Sequence, residues 1–328
     1  MSWLLRAILF LVVLLGSSAT PSQIVGGPAP AQAQEVALGS YIEGADWNPS
    51  RIDAYTRLLG RRPLIVNQYA QFDNQPFVHS QLTEIWQRGS VPMITWEPQS
   101  YEGHHYSLEG VAAGRNDRYL RRAADAAASW GRPILIRFAH EMNGNWYPWA
   151  GDPHRYKRAW RHVVRIFRRR GADNVSWVWT PYANQGGDLP FRAYFPGDRW
   201  VDWVGLDGFN WGYGSSSFAF RRIFGASYRS LTRLSSRPVM IGETGTNPSG
   251  KPNWIRGALQ SVLRMRRVRA LVWFDAYANG VDLRFSSGSA ALRAFRGMSR
   301  HSRFAMGRAC LVRISLAPGG AGRRCGSR

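Results

Sequence analysis

Eight short apolar runs, separated by longer amphipathic segments rich in arginine, recur from Glu35 almost to the end of the chain. They fall at residues 36–41, 63–68, 91–96, 133–140, 175–180, 201–207, 238–243 and 270–275. Runs this short and this β-branched read as buried strands and the segments between them as helices, the pattern of repeated strand–helix–strand units around a parallel sheet. Two helices announce their starts. Asn116 precedes one expected at 119–130, and Asp152-Pro153 precede one at 156–170, with Asp capping and Pro in the first helical position. Eight such units joined by right-handed crossovers close into an α/β fold of the (β/α)8 barrel kind.

An open doubly wound sheet gives a similar alternation, and the strand ends separate the two. A barrel gathers polar groups at the C-terminal ends of all its strands, whereas an open sheet binds its ligand at one switch point. Here the runs end in Tyr41-Ile42-Glu43, Asn67-Gln68-Tyr69, Trp96-Glu97, His140-Glu141, Trp179-Thr180-Pro181-Tyr182, Asp207-Gly208-Phe209-Asn210-Trp211, Glu243 and Trp273-Phe274-Asp275. Polar and aromatic groups therefore converge from the whole ring. No glycine-rich phosphate loop follows the first run, which removes a dinucleotide-binding reading. A single domain is expected, since barrels of this length commonly form one.

The amino terminus carries Arg6, an apolar stretch from Ala7, and Ala31-Gln32-Ala33, a small-x-small cleavage pattern. Residues 1–33 are thus expected to be a signal peptide and the protein secreted or held at the cell surface. The competing reading is an uncleaved anchor, but the apolar part is short for a bilayer, so no permanent membrane span is expected. The formal charge is +22, almost all from arginine, because Lys157 and Lys251 are the only lysines. Charge of this size speaks to partners rather than to fold. The arginines are spread along helix faces or gathered in the tail with no nucleic-acid-binding motif, so no specific nucleic acid is expected, and an arginine-rich proteome bias or an anionic cell-wall surface suits them better.

The richest stretch is 133–151, PILIRFAHEMNGNWYPWAG. It delivers Glu141 to the end of the fourth strand, ringed by His140, Asn143, Trp146, Tyr147 and Trp149. A carboxylate among amide and indole side chains suits a polar ligand with flat apolar faces, which describes a sugar ring. Taken alone, the stretch also fits an aromatic-rich loop with a solvated Glu. The seventh run, RPVMIGETG, repeats the arrangement and brings Glu243 to the mouth of the barrel opposite. Two carboxylates facing one groove are what glycoside hydrolysis requires, one to protonate the leaving oxygen and one to attack the anomeric carbon.

The pairing of RFAHEMNGNWYPW with PVMIGETG resembles glycoside hydrolase family 26, retaining barrels best known for endo-β-1,4-mannanases, over about 35–298. The resemblance implies that Glu141 is the general acid/base and Glu243 the nucleophile, that His140 contacts the sugar at the cleavage point, and that Trp146 and Trp273 wall the groove. The segments WVWTPYANQ and VDWVGLDGFNWG are also similar to family segments, which adds Tyr182, Phe209, Asn210 and Trp211 to the expected substrate-binding set alongside Asn143 and Trp149. A β-linked polysaccharide is the implied substrate, mannan first and glucan or xylan as alternatives, with no cofactor.

One position departs from the family pattern. Members usually carry Tyr where this chain has Phe209, and that hydroxyl is held to orient the nucleophile. Either Asn210 or Tyr182 replaces it, or the enzyme is slower, or the barrel binds polysaccharide without cleaving it. Other chemistries find little support. His104 and His105 are adjacent and lack ligand spacing for a metal, and no Gly-x-Ser-x-Gly elbow occurs. The basic tail, 299–328, holds both cysteines, Cys310 and Cys325, which suit a single disulfide in an exported protein. Two readings stay open for it: packing on the bottom of the barrel, pinned by that disulfide, or a solvated cationic segment.

Overall fold

The computed structural model describes residues 34–72, 77–183, 190–212, 218–247 and 249–316. Eight strands, β1 (Ala37–Ile42), β2 (Ile65–Gln71), β3 (Val91–Glu97), β4 (Ile134–Phe138), β5 (Val175–Trp179), β6 (Trp203–Asn210), β7 (Val239–Thr246) and β8 (Val268–Asp275), pair in chain order. All pairings are parallel and β8 returns to β1, so the sheet is the expected closed (β/α)8 barrel. The helices α1 (Ser50–Leu59), α2 (His79–Gln87), α3 (Leu108–Ala112), α4 (Asp117–Trp130), α5 (Pro153–Arg169), α6 (Phe220–Leu234), α7 (Lys251–Arg264) and α8 (Ser289–Ser299) form the outer layer. The expected signal peptide, 1–33, lies outside the described residues. Among the described residues no helix is long and apolar enough to cross a membrane.

Local sequence explains the best-formed helix. In α5 the Asp152 carboxylate accepts from the backbone N–H groups of His154 and Arg155 at 2.8 and 2.9 Å, and Pro153 takes the first position, where its missing N–H costs nothing. Tyr156, Trp160, Val163 and Phe167 then recur at helical spacing and bury against the sheet, while the arginines point outward. Asn116 stands at the start of α4 as expected, but its side chain makes no capping bond.

The strands alternate in facing. Ile65, Met93, Leu135 and Met240 form an apolar layer within the barrel, separate from the larger cluster between sheet and helices. Two residues further along β2, β3 and β4, Asn67, Thr95 and Arg137 form a polar layer above it. The bottom is closed by the chain's own tail. A ninth helix, α9 (Arg308–Leu316), places Cys310, Leu311 and Ile314 in the inner apolar cluster, and Ser176 and Trp203 donate to the carbonyl and hydroxyl of Ser315 at 2.8 and 3.3 Å. The packed reading therefore holds for residues 308–316. Cys310 is disulfide-bonded, and Cys325 lies outside the described residues.

Candidate active site

Glu141 and Glu243 reach the same cavity by different routes. β4 ends at Phe138, earlier than expected, because Ala139 and Glu141 take left-handed backbone angles, φ 44° and 53°. Such angles are unfavourable for residues with a Cβ and persist only where neighbours hold them. Here Ala139 N–H donates to the Trp96 carbonyl on β3 at 3.0 Å, and Glu141 N–H to the Thr180 carbonyl after β5 at 2.9 Å. The turn is clamped from both sides. β7 instead runs past Glu243 to Thr246, so the second carboxylate sits within a strand rather than at its tip.

Glu243 belongs to a buried polar network drawn from five strands. Arg137, with no exposed surface, donates to Asp207 Oδ2 at 2.7 Å and to Glu243 Oε1, and twice to Thr95 Oγ1, at 3.0 and 2.7 Å. Thr95 donates to Asn67 Oδ1 at 2.8 Å, and Asn67 Nδ2 returns to Glu243 Oε1 at 3.4 Å, which closes the loop. The Tyr69 hydroxyl, from the end of β2, also donates to Oε1. Gly242 makes room for this network: a Cβ there would stand 2.5 Å from Asp207 Oδ1 and 3.3 Å from Arg137 Nη1. The flanking acidic groups hold Arg137 firmly protonated despite its burial.

Glu141 lives in different surroundings. Burial pushes its carboxyl well above the usual range, and the negative charges of Asp207 and Glu243 push the same way. The indole N–H of Trp146 donates to its Oε2 at 2.6 Å. The site thus holds one carboxyl biased toward its protonated form and one carboxylate bound to a guanidinium.

The cavity, about 370 Å³, is lined by Tyr69, Glu141, Trp146, Tyr147, Tyr182, Phe209, Trp211, Glu243, Phe274, Ala278 and Asn279. Of the expected substrate-binding set, Trp146, Tyr182, Phe209 and Trp211 lie on it. Trp211 Nε1 donates to the Tyr182 hydroxyl at 3.2 Å, and the Trp146 ring meets Tyr182 edge-on at 4.9 Å.

The other five do not. Trp273 has no exposed surface; it points outward from β8 into the helix layer, edge-on to Phe285 and Phe295, and donates to the Leu283 carbonyl at 3.0 Å. Strand alternation gives the groove wall to Phe274 instead. Asn210 is consumed by the scaffold, donating to Thr246 Oγ1 at 2.8 Å and accepting from Phe218 N–H at 2.9 Å. Asn143 clasps the Tyr182 backbone with both ends of its amide, at 2.9 and 2.8 Å, and so fixes the loop after β5 to the loop after β4. Trp149 is buried, donates to the His140 carbonyl at 2.7 Å, and stacks on Tyr147 at 4.3 Å, which carries the cavity face in its stead. His140, 1% exposed, packs against Tyr147 and Tyr69, and burial together with the Arg137 charge keeps its imidazole neutral.

Tyr69, Arg137, Asp207 and Phe274 were not singled out by sequence reasoning. Arg137 left a signal: a charge in the middle of the apolar run ILIRF needs a buried carboxylate partner. The adjacent His104 and His105 are exposed, and no group of three or more His, Cys, Asp or Glu among the described residues is placed to hold a metal ion.

The chain is similar to known proteins. Endoglucanase H of Acetivibrio thermocellus is 33% identical over 275 residues, 79% of this chain and 30% of that protein. A mannan endo-1,4-beta-mannosidase of Bacillus subtilis strain 168 is 28% identical over 237 residues, 61% of this chain and 60% of that protein. The chain spans less than two thirds of the length of these curated relatives. Among solved structures, a modular endo-beta-1,4-mannanase from Cellulomonas fimi superposes with a TM-score of 0.64 at 16% identity, over 89% of this chain and 74% of that one. A beta-mannanase from Bacteroides ovatus gives 0.63 at 19% identity, over 82% and 90%. At such identities the likeness is one of fold. The sequence profile of Glycosyl hydrolase family 26 matches residues 87–242, from the end of α2 through β4 and Glu141 to the residue before Glu243. That profile and these relatives agree on what the chain is similar to, glycosyl hydrolase family 26, and the barrel is the fold of its solved neighbours.

Proposed function

We propose that this protein is a retaining endo-β-glycanase that cleaves β-1,4-mannan by double displacement. Glu141 protonates the leaving oxygen while Glu243 attacks the anomeric carbon; Glu141 then takes a proton from the water that releases the sugar. The observation that carries this reading is the unlike treatment of two carboxyl groups on one aromatic-lined cavity, Glu141 desolvated and Glu243 bound to Arg137 and Tyr69. Trp146, Tyr147, Phe274 and Trp211 supply flat apolar faces for sugar rings. The non-catalytic alternative rested on a nucleophile without a hydroxyl donor, and Tyr69 removes that argument.

Incubation with mannan, mixed-linkage glucan and xylan, followed by assay of new reducing ends, tests substrate and activity together. Mannan is expected to be cut fastest, with β-anomeric products formed first. A second reading, β-glucan as the preferred polymer, is favoured by the endoglucanase relative, which matches more of this chain than the mannosidase does. Glu141→Gln and Glu243→Gln should each lower turnover by orders of magnitude with folding intact; near-parental rates in either would remove that residue from its role. Export follows from the amino-terminal apolar segment, and recovery of the full-length chain only in the cytoplasm of its host would overturn it.

A further inference from the structure

We propose that Tyr69 is a positioning residue that dedicates Oε1 of Glu243 to the protein and leaves Oε2 as the oxygen that attacks and later departs. The role rests on the double displacement proposed above. Three donors converge on Oε1: the Tyr69 hydroxyl, Arg137 Nη2, and Asn67 Nδ2 at 3.4 Å. Among the described residues no side chain donates to Oε2, although Glu243 lines the cavity. A carboxylate oxygen offers about two lone-pair directions, so three donors saturate Oε1 and discourage rotation of the group. Arg137 and Asn67 also hold Thr95 and Asp207 and are committed to the barrel core. Tyr69 is the donor at the cavity itself. Tyr69 lines the groove, and Tyr41 packs edge-on against its ring at 5.3 Å, which restrains it. Burial and the charge of Glu243 keep the phenol protonated, hence a donor, at any working pH.

The bond has a kinetic consequence in each half of the reaction. In the first half the C1–Oε2 bond forms as the glycosidic C1–O bond breaks and Glu141 gives its proton to the leaving oxygen. In the second, water adds to C1, its proton passes to Glu141, and the C1–Oε2 electron pair returns to the carboxylate. That returning charge spreads onto Oε1, where Tyr69 donates. Without the hydroxyl, Glu243 is a poorer leaving group, and release of the glycosyl-enzyme slows more than its formation.

The test is Tyr69→Phe, nearly isosteric, assayed with a dinitrophenyl β-glycoside of the sugar that the parent cleaves best. A charge-assisted hydrogen bond at a reacting group corresponds to roughly a ten- to hundredfold loss of kcat. We expect kcat and KM to fall together, a pre-steady-state burst of phenolate, and a protein mass raised by one glycosyl unit after brief mixing. A merely structural role would lower the melting temperature without trapping that adduct. If Tyr69→Phe does not fold, Tyr69→His, which keeps a ring and a donor, must show the same adduct at a smaller loss of rate. An active parent whose variant shows unchanged kcat and no burst would overturn the role of Tyr69 alone. A parent that cleaves no glycoside or polymer would overturn both this role and the function on which it rests.

Discussion

The indole N–H of Trp146 donates to Oε2 of Glu141 at 2.6 Å, from a ring 46% exposed at the rim of the groove. Burial, then the charges of Asp207 and Glu243, raise the Glu141 carboxyl, and this bond opposes the rise because it favours the charged form. An acid must carry its proton when the leaving oxygen departs, so activity falls as pH climbs through its pKa. Trp146→Phe keeps an aromatic wall and removes the donor. The basic limb of the pH profile of kcat/KM should therefore move to higher pH, and a limb that stays or moves down would disconnect Trp146 from the acid.

Arg137 gives a prediction about stability. It neutralises two carboxylates in a place from which water is excluded, and breaking a buried pair by removing one partner strands the other charge. Arg137→Met leaves Asp207 and Glu243 facing each other unpaired. A loss of about 3–5 kcal/mol is expected, read as a lower urea midpoint at neutral pH. Arg137→Lys restores one charge but not the fork that reaches Asp207 and Glu243 together, so it should recover part of the stability and little of the turnover. A parental midpoint for Arg137→Met would show that the network adds nothing to the fold.

The barrel was legible because its signal is repeated eight times. Each run of 36–41, 63–68 and so on is weak evidence by itself, yet hydrophobic burial against a helix on one side demands the same pattern every time. The two glutamates were legible because each follows an apolar run and precedes a glycine or an amide-rich loop. The second ring of residues was harder. Whether Trp273 or Phe274 faces the groove depends on strand parity, and one residue of uncertainty in register exchanges them. Asn143, Asn210 and His140 have the chemistry of sugar ligands, but the same amides and imidazole satisfy backbone or fill buried space once the loops fold over them. Tyr69 was in view as a strand end, and its partner on β7 emerges only when the barrel closes.

The exchange between Trp273 and Phe274 separates stability from binding. Trp273 fills the layer between β8 and the helices, so Trp273→Ala should destabilise the protein by about 3–5 kcal/mol. What remains folded should show a parental KM. Phe274 stacks on Tyr41 at 4.8 Å and meets Phe209 edge-on at 5.7 Å along the cavity wall. Phe274→Ala should raise KM for the polymer several-fold while kcat changes little, as loss of uniform binding predicts. Denaturant titrations beside steady-state kinetics distinguish the two, and a KM effect from Trp273 with none from Phe274 would reverse the assignment.

Phe209 decides whether the hydroxyl missing from β6 is missed at all. Its ring lies on the cavity wall, 4.7 Å from Trp211 and edge-on to Phe274. The family pattern places a tyrosine here to orient the nucleophile, and by that argument Phe209→Tyr should raise turnover. The network argues otherwise, since Glu243 Oε1 already accepts from Arg137, Asn67 and Tyr69. A fourth donor finds no lone pair on that oxygen, and one aimed at Oε2 would compete with attack on the sugar. A hydroxyl on this face also replaces apolar surface with a group that must be desolvated whenever a sugar docks. Phe209→Tyr should therefore leave kcat unchanged or lower, raise KM, and leave the acid limb of the pH profile in place. A several-fold gain in kcat with the acid limb displaced to lower pH would show that Tyr69 does not satisfy Glu243 and that the nucleophile still lacks its donor.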